Sequence, residues 1–271
     1  MIGVFDSGLG GLSVLAAIAR ALPQSDLTYF ADTAHVPYGT KSDDFIRSRV
    51  LAIGEHLATL GCNVIVVACN TATAAAVNAL RERHPDIPIV GVEPGVKPAA
   101  AASKTRRIAV LATESTAKSE RLARLIRDHA NSVHVHIEPC PGWATRVETL
   151  HLDDPLFSAE IAAIILPLLE RGIDQLVLGC THYSFLAPVL KPLLKSRAEL
   201  VDVADAVARQ VSRLVAQPLP SASAAKSDRR TPLLLLQASA NAGNLQAALP
   251  RLDLDWLMPR IVQPVQNVAL P

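Results

Sequence analysis

The chain has 271 residues, half of them hydrophobic, and its 26 basic and 25 acidic side chains give a formal net charge of +1. This composition excludes a wholly disordered chain and a nucleic-acid binder that relies on a strong basic field, and it provides enough apolar material for one or two cores. Apolar segments are interrupted too often to supply the roughly 18 consecutive residues of a membrane helix. The first residues lack a basic region and a long apolar run, so we expect no secretory signal and a cytoplasmic protein.

In the first third of the chain, short apolar runs alternate with segments of helical periodicity. Strands are predicted at Ile2–Phe5, Leu27–Phe30, Val64–Ala68 and Ile87–Val92. Helices are predicted after the first strand, after Ser42, and in the alanine-rich segment after Cys69. The run Val64–Ala68 is continuous and β-branched, which is typical of a parallel strand buried on both faces.

The same alternation resumes after residue 106. Strands are predicted at Arg107–Ala112, Val133–Ile137, Gln175–Gly179, Glu199–Val203 and Leu233–Gln237. Helices are predicted around Leu122–Ile126, at Ala159–Glu170, around Leu186–Leu193 and at Asp205–Val215. Gln217–Pro232 is rich in proline, serine and alanine and is interpreted as a surface loop.

This alternation predicts the α/β fold class, with two similar α/β domains built on mainly parallel sheets. The halves share one pattern, because each has a strand that ends in a cysteine followed within two residues by a threonine. We expect residues 1–95 and 206–271 to form the first domain and residues 96–205 to form the second.

Polar residues lie at the carboxyl ends of several predicted strands, which is where open α/β sheets bind their ligands. These polar stops are Asp6-Ser7, Cys69-Asn70-Thr71, Thr113 and Cys180-Thr181-His182. Both cysteines are predicted to lie between a strand end and a helix start, where backbone N–H groups and the helix dipole stabilise an anion. This favours two functional thiols over two packed ones, and the same helix starts would hold a substrate carboxylate.

The other two cysteines, Cys62 and Cys140, lack the strand-end context, so we expect them to pack or to be inert. The spacing of the four cysteines matches no usual zinc pattern and contains no Cys-x-x-Cys motif. A metal site at Cys180 and His182 is disfavoured because it would need more soft ligands.

A chemistry that uses both strand-end thiols is acid/base catalysis on opposite faces of one carbon. One thiolate removes a proton and the other thiol delivers one, which inverts a stereocentre without a cofactor. A thiol is a weak base, so neighbours must tune it. Asp6 is the candidate beside one thiol, and His182 is the candidate beside the other.

Four segments together resemble the glutamate racemase family, within the aspartate/glutamate racemase superfamily. They begin at Asp6 (Asp-Ser-Gly-Leu-Gly-Gly-Leu-Ser-Val), Ala31 (Ala-Asp-Thr-Ala-His-Val-Pro-Tyr-Gly-Thr-Lys-Ser), Ala68 (Ala-Cys-Asn-Thr-Ala-Thr-Ala) and Leu178 (Leu-Gly-Cys-Thr-His-Tyr). The resemblance runs in order from residue 2 to about residue 211. It implies interconversion of L- and D-glutamate, a supply of D-glutamate for peptidoglycan, and an active site between two α/β domains. It also implies a homodimer, and it implies neither pyridoxal phosphate nor a metal.

The resemblance carries roles to matching positions. Cys69 and Cys180 are then the catalytic thiols, assisted by Asp6 and His182. The residues matched to substrate binding are Asp6, Ser7, Tyr38, Gly39, Asn70, Thr71, Thr181 and His182, with Thr113 and Thr116 lining the site. Glu148 stands where the family has an acidic residue about thirty positions before the second cysteine. Its surroundings depart from the family's, so a solvated glutamate on a helix face is an open alternative.

Three other functions stay open from the sequence. A racemase of the same superfamily would act on aspartate or another small acid. A hydrolase would use Cys180 and His182 as nucleophile and base and would not need Cys69. A non-catalytic amino-acid-binding module would show saturable binding without loss of the α-hydrogen, and it would not need Cys69 and Cys180 together.

Overall fold

The computed structural model describes residues 1–216 and 232–271. The described chain divides into two units: unit 1 consists of Met1–Val92 and Ala204–Pro271, and unit 2 consists of Glu93–Val203. The predicted loop at 217–232 lies outside the described residues except for its last position.

Parallel strands form the centre of each unit. In chain order they are β1 (Ile2–Asp6), β2 (Leu27–Ala31), β3 (Val64–Val67), β4 (Ile89–Gly91), β5 (Arg107–Ala112), β6 (His134–Pro139), β7 (Gln175–Leu178), β8 (Glu199–Val201), β9 (Leu234–Ala238) and β10 (Gln266–Asn267). Unit 1 has a six-stranded sheet of order β10-β9-β2-β1-β3-β4, and unit 2 has a four-stranded sheet of order β6-β5-β7-β8. Every strand pair in both sheets is parallel.

Helices connect and cover these strands. They are α1 (Leu12–Ala21), α2 (Asp43–Thr59), α3 (Asn70–Arg83), α4 (Val96–Ala102), α5 (Glu114–Lys118), α6 (Glu120–His129), α7 (Trp143–Glu148), α8 (Pro155–Glu170), α9 (Ala187–Leu194), α10 (Ala204–Val215) and α11 (Ala242–Arg251). Short 3₁₀ helices form at Tyr38–Thr40, Thr181–Leu186 and Asp255–Arg260. No helix in residues 1–216 and 232–271 is long and apolar enough to cross a membrane.

In unit 1, the central strands β1, β2 and β3 are buried along their whole length. Their apolar runs are continuous because helices cover both faces of a parallel sheet. On one face, Phe5 and Val67 pack with Ile53 of α2 and Leu80 of α3. The helix α2 begins where the sequence predicts, since the Ser42 hydroxyl accepts a hydrogen bond from the Phe45 N–H at 3.3 Å.

In unit 2, the side chains of β5 alternate between two cores. Ile108 and Val110 pack with α4 and α6 on one face, and Leu111 packs on the other face in a cluster that contains Trp143 and Phe157. The rings of Trp143 and Phe157 meet edge to face with centroids 6.2 Å apart. This cluster anchors α7 and α8 against the sheet.

The predicted α/β fold class is confirmed, because the strands form two parallel sheets that helices connect and cover. The sequence patterns missed three short helices of unit 2, namely α4, α5 and α7, because five to seven residues are too few to show helical periodicity. They also missed α11 and β10 in the last thirty residues. The helix α8 begins at Pro155, four residues earlier than predicted, because the Asp154 carboxylate caps it by accepting from the Leu156 N–H at 2.9 Å.

Candidate active site

In unit 1, a buried aspartate, serine and cysteine follow two neighbouring strands. Asp6 is the last residue of β1, Ser7 follows it, and Cys69 lies two residues beyond the end of β3, which pairs with β1. The Asp6 Oδ1 accepts hydrogen bonds from the Ser7 N–H at 2.5 Å and from the Ser7 hydroxyl at 3.2 Å. The Cys69 thiol donates to the Ser7 Oγ at 4.0 Å. A chain of hydrogen bonds therefore links the Cys69 thiol to a buried carboxylate.

The Cys69 side chain also caps a helix. Its Sγ accepts a hydrogen bond from the Ala72 N–H at 3.5 Å, at the first turn of the 14-residue helix α3. An N–H donor and the positive end of the helix dipole both stabilise negative charge on the sulfur. The position between strand end and helix start is the one that the sequence predicts for this cysteine.

Asn70 and Thr71 occupy the first turn of the same helix and are 5% and 4% exposed. Neither the Asn70 Oδ1 nor its Nδ2 has a hydrogen-bond partner within the described part of the chain. A buried amide without a protein partner is costly unless a ligand or water satisfies it. Asn70 therefore offers a donor and an acceptor to a bound molecule beside Cys69.

Tyr38 and Gly39 lie in the short 3₁₀ helix that follows β2. The Tyr38 ring is 1% exposed, and its hydroxyl donates to the Asp32 Oδ2 at 2.6 Å. Burial raises the pKa of Tyr38 far above its ordinary value, and the Asp32 carboxylate raises it further. The Tyr38 hydroxyl is therefore held by Asp32.

In unit 2, Cys180 belongs to a second buried group. Cys180 lies two residues beyond the end of β7, and its Sγ is 3.5 Å from the His182 Nδ1. The opposite ring nitrogen, Nε2, contacts the Glu148 Oε1 in a short hydrogen bond. The Cys180, His182 and Glu148 side chains thus form a thiol–imidazole–carboxylate series, so Glu148 is not a solvated glutamate on a helix face.

The charge state of His182 follows from its two neighbours. Burial by itself lowers the pKa of His182, but the Cys180 thiolate and the Glu148 carboxylate outweigh it and raise the pKa well above 6.5. His182 is 3% exposed, so water screens these interactions little. The group is therefore suited to keep His182 protonated.

The threonines of unit 2 lie at the neighbouring strand end. Thr113 follows β5, which pairs with β7, and its Oγ1 caps α5 by accepting from the Thr116 N–H at 3.2 Å. The Thr113 hydroxyl donates to the Thr116 Oγ1 at 3.0 Å. Thr181 is 5% exposed and directly follows Cys180. Thr113 and Thr181 therefore both follow paired strands at the carboxyl edge of this sheet, and Thr116 is hydrogen-bonded to Thr113.

One sequence-based expectation about the cysteines is refined by the structure, and another is wrong. A helix does begin after Cys180, but residues Thr181–Leu186 form a 3₁₀ helix, and the Cys180 side chain makes no capping hydrogen bond. His182, rather than a helix N-terminus, is its polar partner. Cys140 does share the strand-end context, because β6 extends to Pro139 instead of ending at Ile137. The Cys140 N–H bonds the Ala112 carbonyl at 2.9 Å, which continues the β5–β6 pairing.

Cys140 and Cys62 are nevertheless packed residues, 2% and 3% exposed. Burial raises the pKa of Cys62 to about 12. Burial also raises the pKa of Cys140, and the nearby Glu138 and Cys180 raise it further. Both thiols therefore stay protonated near neutral pH.

Asp32 is a buried residue of unit 1 to which the sequence analysis gave no role. It follows β2 directly, and its carboxylate accepts from Tyr38 and from both Nε and Nη2 of Arg49 at 3.0 Å. Its position after a predicted strand was visible in the sequence, but its arginine partner, 17 residues away, was not. Within residues 1–216 and 232–271, no group of three or more His, Cys, Asp or Glu side chains is arranged to hold a metal ion.

A family model described as Asp/Glu/Hydantoin racemase matches residues 2–211. The chain belongs to this racemase family. The match covers all predicted site residues in both units.

Several relatives with close sequence similarity are named glutamate racemases. A glutamate racemase of Pseudomonas aeruginosa is 50% identical over 214 residues, which cover 79% of this chain and 81% of the relative. A glutamate racemase of Ectopseudomonas mendocina is 46% identical over 252 residues, or 93% of this chain and 94% of the relative. The crystal structure of Escherichia coli glutamate racemase in complex with L-glutamate and the activator UDP-MurNAc-Ala has a TM-score of 0.84 and 32% identity, covering 100% of this chain and 98% of that one.

Proposed function

We propose that this protein is a cofactor-independent glutamate racemase that interconverts L- and D-glutamate. The observation that carries the proposal is the pair of buried strand-end thiols, each with a different acid/base partner. Cys69 is linked through Ser7 to Asp6, and Cys180 contacts His182. Relatives 46% and 50% identical to this chain are named glutamate racemases, which favours glutamate over aspartate as the substrate.

In the proposed reaction, one thiolate removes the α-proton of glutamate and becomes a thiol. The electron pair of the C–H bond stays on the α-carbon as a carbanion. The other thiol donates its proton to the opposite face of that carbon and becomes a thiolate. The product is the other enantiomer, and the two sulfurs have exchanged protonation states, so the same site runs the reaction in either direction.

The partners tune each thiol differently. His182, held between Cys180 and Glu148, stabilises the Cys180 thiolate as an ion pair. For Cys69, the Ala72 N–H stabilises the thiolate, and the Ser7 hydroxyl connects the thiol to Asp6. Thiols are weak bases, so each needs a neighbour that stabilises the charge formed when its proton leaves.

The proposed substrate contacts come from both groups. The first turn of α3 suits the carboxylate of an amino acid, because that turn offers N–H donors and the positive end of the dipole. The Asn70 amide oxygen suits the amino group, because it can accept a hydrogen bond. The remaining proposed contacts are the hydroxyls of Ser7, Thr71, Thr113, Thr116 and Thr181 and the backbone of Tyr38 and Gly39.

A cysteine hydrolase is the second candidate, because the Cys180–His182–Glu148 series alone has the order of a nucleophile, a base and an orienting carboxylate. A hydrolase would leave Cys69 without a function, although Cys69 has its own hydrogen-bonded partners. A hydrolase would also change the composition of its substrate, whereas a racemase would not.

The setting of the activity is part of the proposal. We infer that the enzyme acts in the cytoplasm, forms a homodimer and supplies D-glutamate for peptidoglycan. We also infer two domains, residues 1–95 with 206–271 and residues 96–205. Sedimentation of the purified protein measures the oligomeric state, and a single species with the mass of one chain would exclude the dimer.

Proton NMR of L-glutamate, and separately of D-glutamate, tests the proposed function with purified enzyme in D₂O and no added cofactor. Optical rotation is followed in the same samples. We expect loss of the α-hydrogen signal together with decay of rotation from both enantiomers. Intact α-hydrogen signals with constant rotation would exclude glutamate, and repeating the measurement with aspartate would then test the closest alternative.

A further inference from the structure

The guanidinium of Arg49 is buried at a junction in unit 1. Arg49 lies in α2 and is 4% exposed. Its Nε and Nη2 each donate to one Asp32 carboxylate oxygen at 3.0 Å, in a bidentate pair. Its Nη1 donates to the backbone oxygens of Leu270 at 3.0 Å and Pro271 at 2.6 Å. One side chain therefore joins the end of β2 to residues more than two hundred positions later.

On one side of this junction, Asp32 holds the Tyr38–Gly39 segment. Its carboxylate accepts from the Tyr38 hydroxyl at 2.6 Å and lies 3.1 Å from the His35 Nδ1. Its N–H donates to the carbonyl of Asp6 at 3.0 Å. Burial raises the pKa of Asp32, but its hydrogen bonds, with Arg49 the strongest, outweigh burial and lower it. The carboxylate stays ionised, and Arg49 is its cationic partner.

On the other side, residues 266–271 are fixed independently of Arg49. The strand β10 pairs with β9, and the Val268 N–H donates to the Ala238 carbonyl at 2.8 Å. The side chains of Val268 and Leu270 pack on the core that contains Tyr38 and Cys69. This segment therefore presents its backbone oxygens to Arg49 at a defined position.

We propose that Arg49 is a positioning residue, through which residues 266–271 hold Asp32 and the Tyr38–Gly39 segment in place. The inference rests on the proposed function in that Tyr38–Gly39 contacts glutamate. A buried guanidinium that loses two acceptors must find others or admit water. Either response moves the Asp32 carboxylate, and Tyr38 moves with it because its hydroxyl bonds that carboxylate.

Two variants perturb the junction from its two sides. Arg49→Lys keeps the charge but lacks the planar fork that spans both carboxylate oxygens. A chain shortened by Leu270 and Pro271 keeps Arg49 and removes both backbone acceptors. Arg47→Lys, an exposed position in the same helix, is the matched control. If Arg49→Lys does not fold, the shortened chain provides the test alone.

Hydrogen–deuterium exchange tests the junction without any assumption about activity. We expect the backbone amides in residues 33–41 to exchange faster in both variants than in wild type. In Arg47→Lys, their exchange rates should be unchanged. In the racemase assay, we expect KM for glutamate to rise about tenfold while kcat changes less than about threefold. A loss of stability alone would reduce the active fraction and lower the apparent kcat with KM unchanged.

The combined variant gives a further test. Because both changes act on one guanidinium, the double variant should show about the same KM as either single variant rather than the product of the two effects. Unchanged exchange in residues 33–41 in both variants would overturn the inference, whether or not the protein racemises glutamate. Faster exchange with an unchanged KM in an active racemase would overturn the link to substrate binding.

Discussion

Replacing Glu148 with glutamine tests whether the carboxylate beside His182 contributes to catalysis. The substitution keeps the shape of the side chain and removes its charge, so the buried His182 imidazolium loses its carboxylate partner. A hydrogen bond between charged groups contributes about 1.5–3 kcal/mol. If that interaction stabilises the transition state, its loss lowers kcat/KM about ten- to 150-fold. We expect a decrease in this range for both L- and D-glutamate.

The same substitution changes stability in a pH-dependent way. Burial lowers the pKa of His182, and Cys180 and Glu148 raise it well above 6.5, so the folded protein holds a proton that the unfolded chain releases near pH 6.5. The resulting stabilisation is complete below that pH and is lost as pH rises through the folded-state pKa. Glu148→Gln lowers the folded-state pKa of His182. The difference in unfolding free energy from wild type should therefore be largest at and below pH 6.5 and shrink as pH rises.

Circular dichroism of glutamate measures racemisation, and urea denaturation at several pH values measures stability. Glu138→Gln is the matched control, because Glu138 also contacts a histidine, His136, at 2.8 Å in unit 2, but both side chains are 28% exposed. An exposed pair of this kind contributes about 0.2–1 kcal/mol, so its removal should leave kcat/KM unchanged. Wild-type kcat/KM in Glu148→Gln, or an equal loss in both variants, would refute the reasoning.

Three further substitutions test separate parts of the site. Ser7→Ala removes the hydroxyl that joins Cys69 to Asp6. Losing a neutral hydrogen bond of about 1 kcal/mol should lower kcat about fivefold. An unchanged kcat in steady-state assays would show that the Ser7 hydroxyl does not assist the Cys69 thiol. Asn70→Ala should raise KM without lowering the melting temperature, because the side-chain amide has no hydrogen-bond partner within the described residues. A lower melting temperature in calorimetry with an unchanged KM would show a structural role instead. In Gly179→Ala the new Cβ would lie 2.7 Å from the Leu111 carbonyl oxygen. The unfolding free energy measured by urea titration should therefore fall by about 1–3 kcal/mol. An unchanged urea midpoint would contradict the close packing at this strand end.

Much of the fold could be predicted from local sequence because strands buried on both faces give continuous apolar runs. Val64–Val67 and Arg107–Ala112 are recognisable for this reason. The helix α7 is not recognisable, since its six residues are held by the packing of Trp143 against Phe157 rather than by their own periodicity. The strand β6 extends to Pro139 because pairing with β5 continues, which no local pattern indicates.

The candidate site divides in the same way. A cysteine directly after a buried run identifies Cys69 and Cys180 as strand-end thiols. The contact between Glu148 and His182 joins residues 34 positions apart, and only the family resemblance suggested Glu148. The Arg49 contact with Leu270 spans 221 positions and has no sequence signal. It arises only when α2 packs on the sheet to which β10 belongs.

Single substitutions of the two thiols test the central claim most directly. Racemisation and α-hydrogen exchange are measured from each enantiomer in D₂O with Cys69→Ala and Cys180→Ala. Cys62→Ala serves as the control, because burial raises the pKa of that thiol to about 12 and keeps it protonated. Since inversion needs a proton acceptor on one face and a donor on the other, we predict that neither Cys69→Ala nor Cys180→Ala racemises glutamate, while Cys62→Ala does. A single variant at Cys69 or Cys180 that keeps a large share of wild-type racemisation would contradict the two-thiol mechanism.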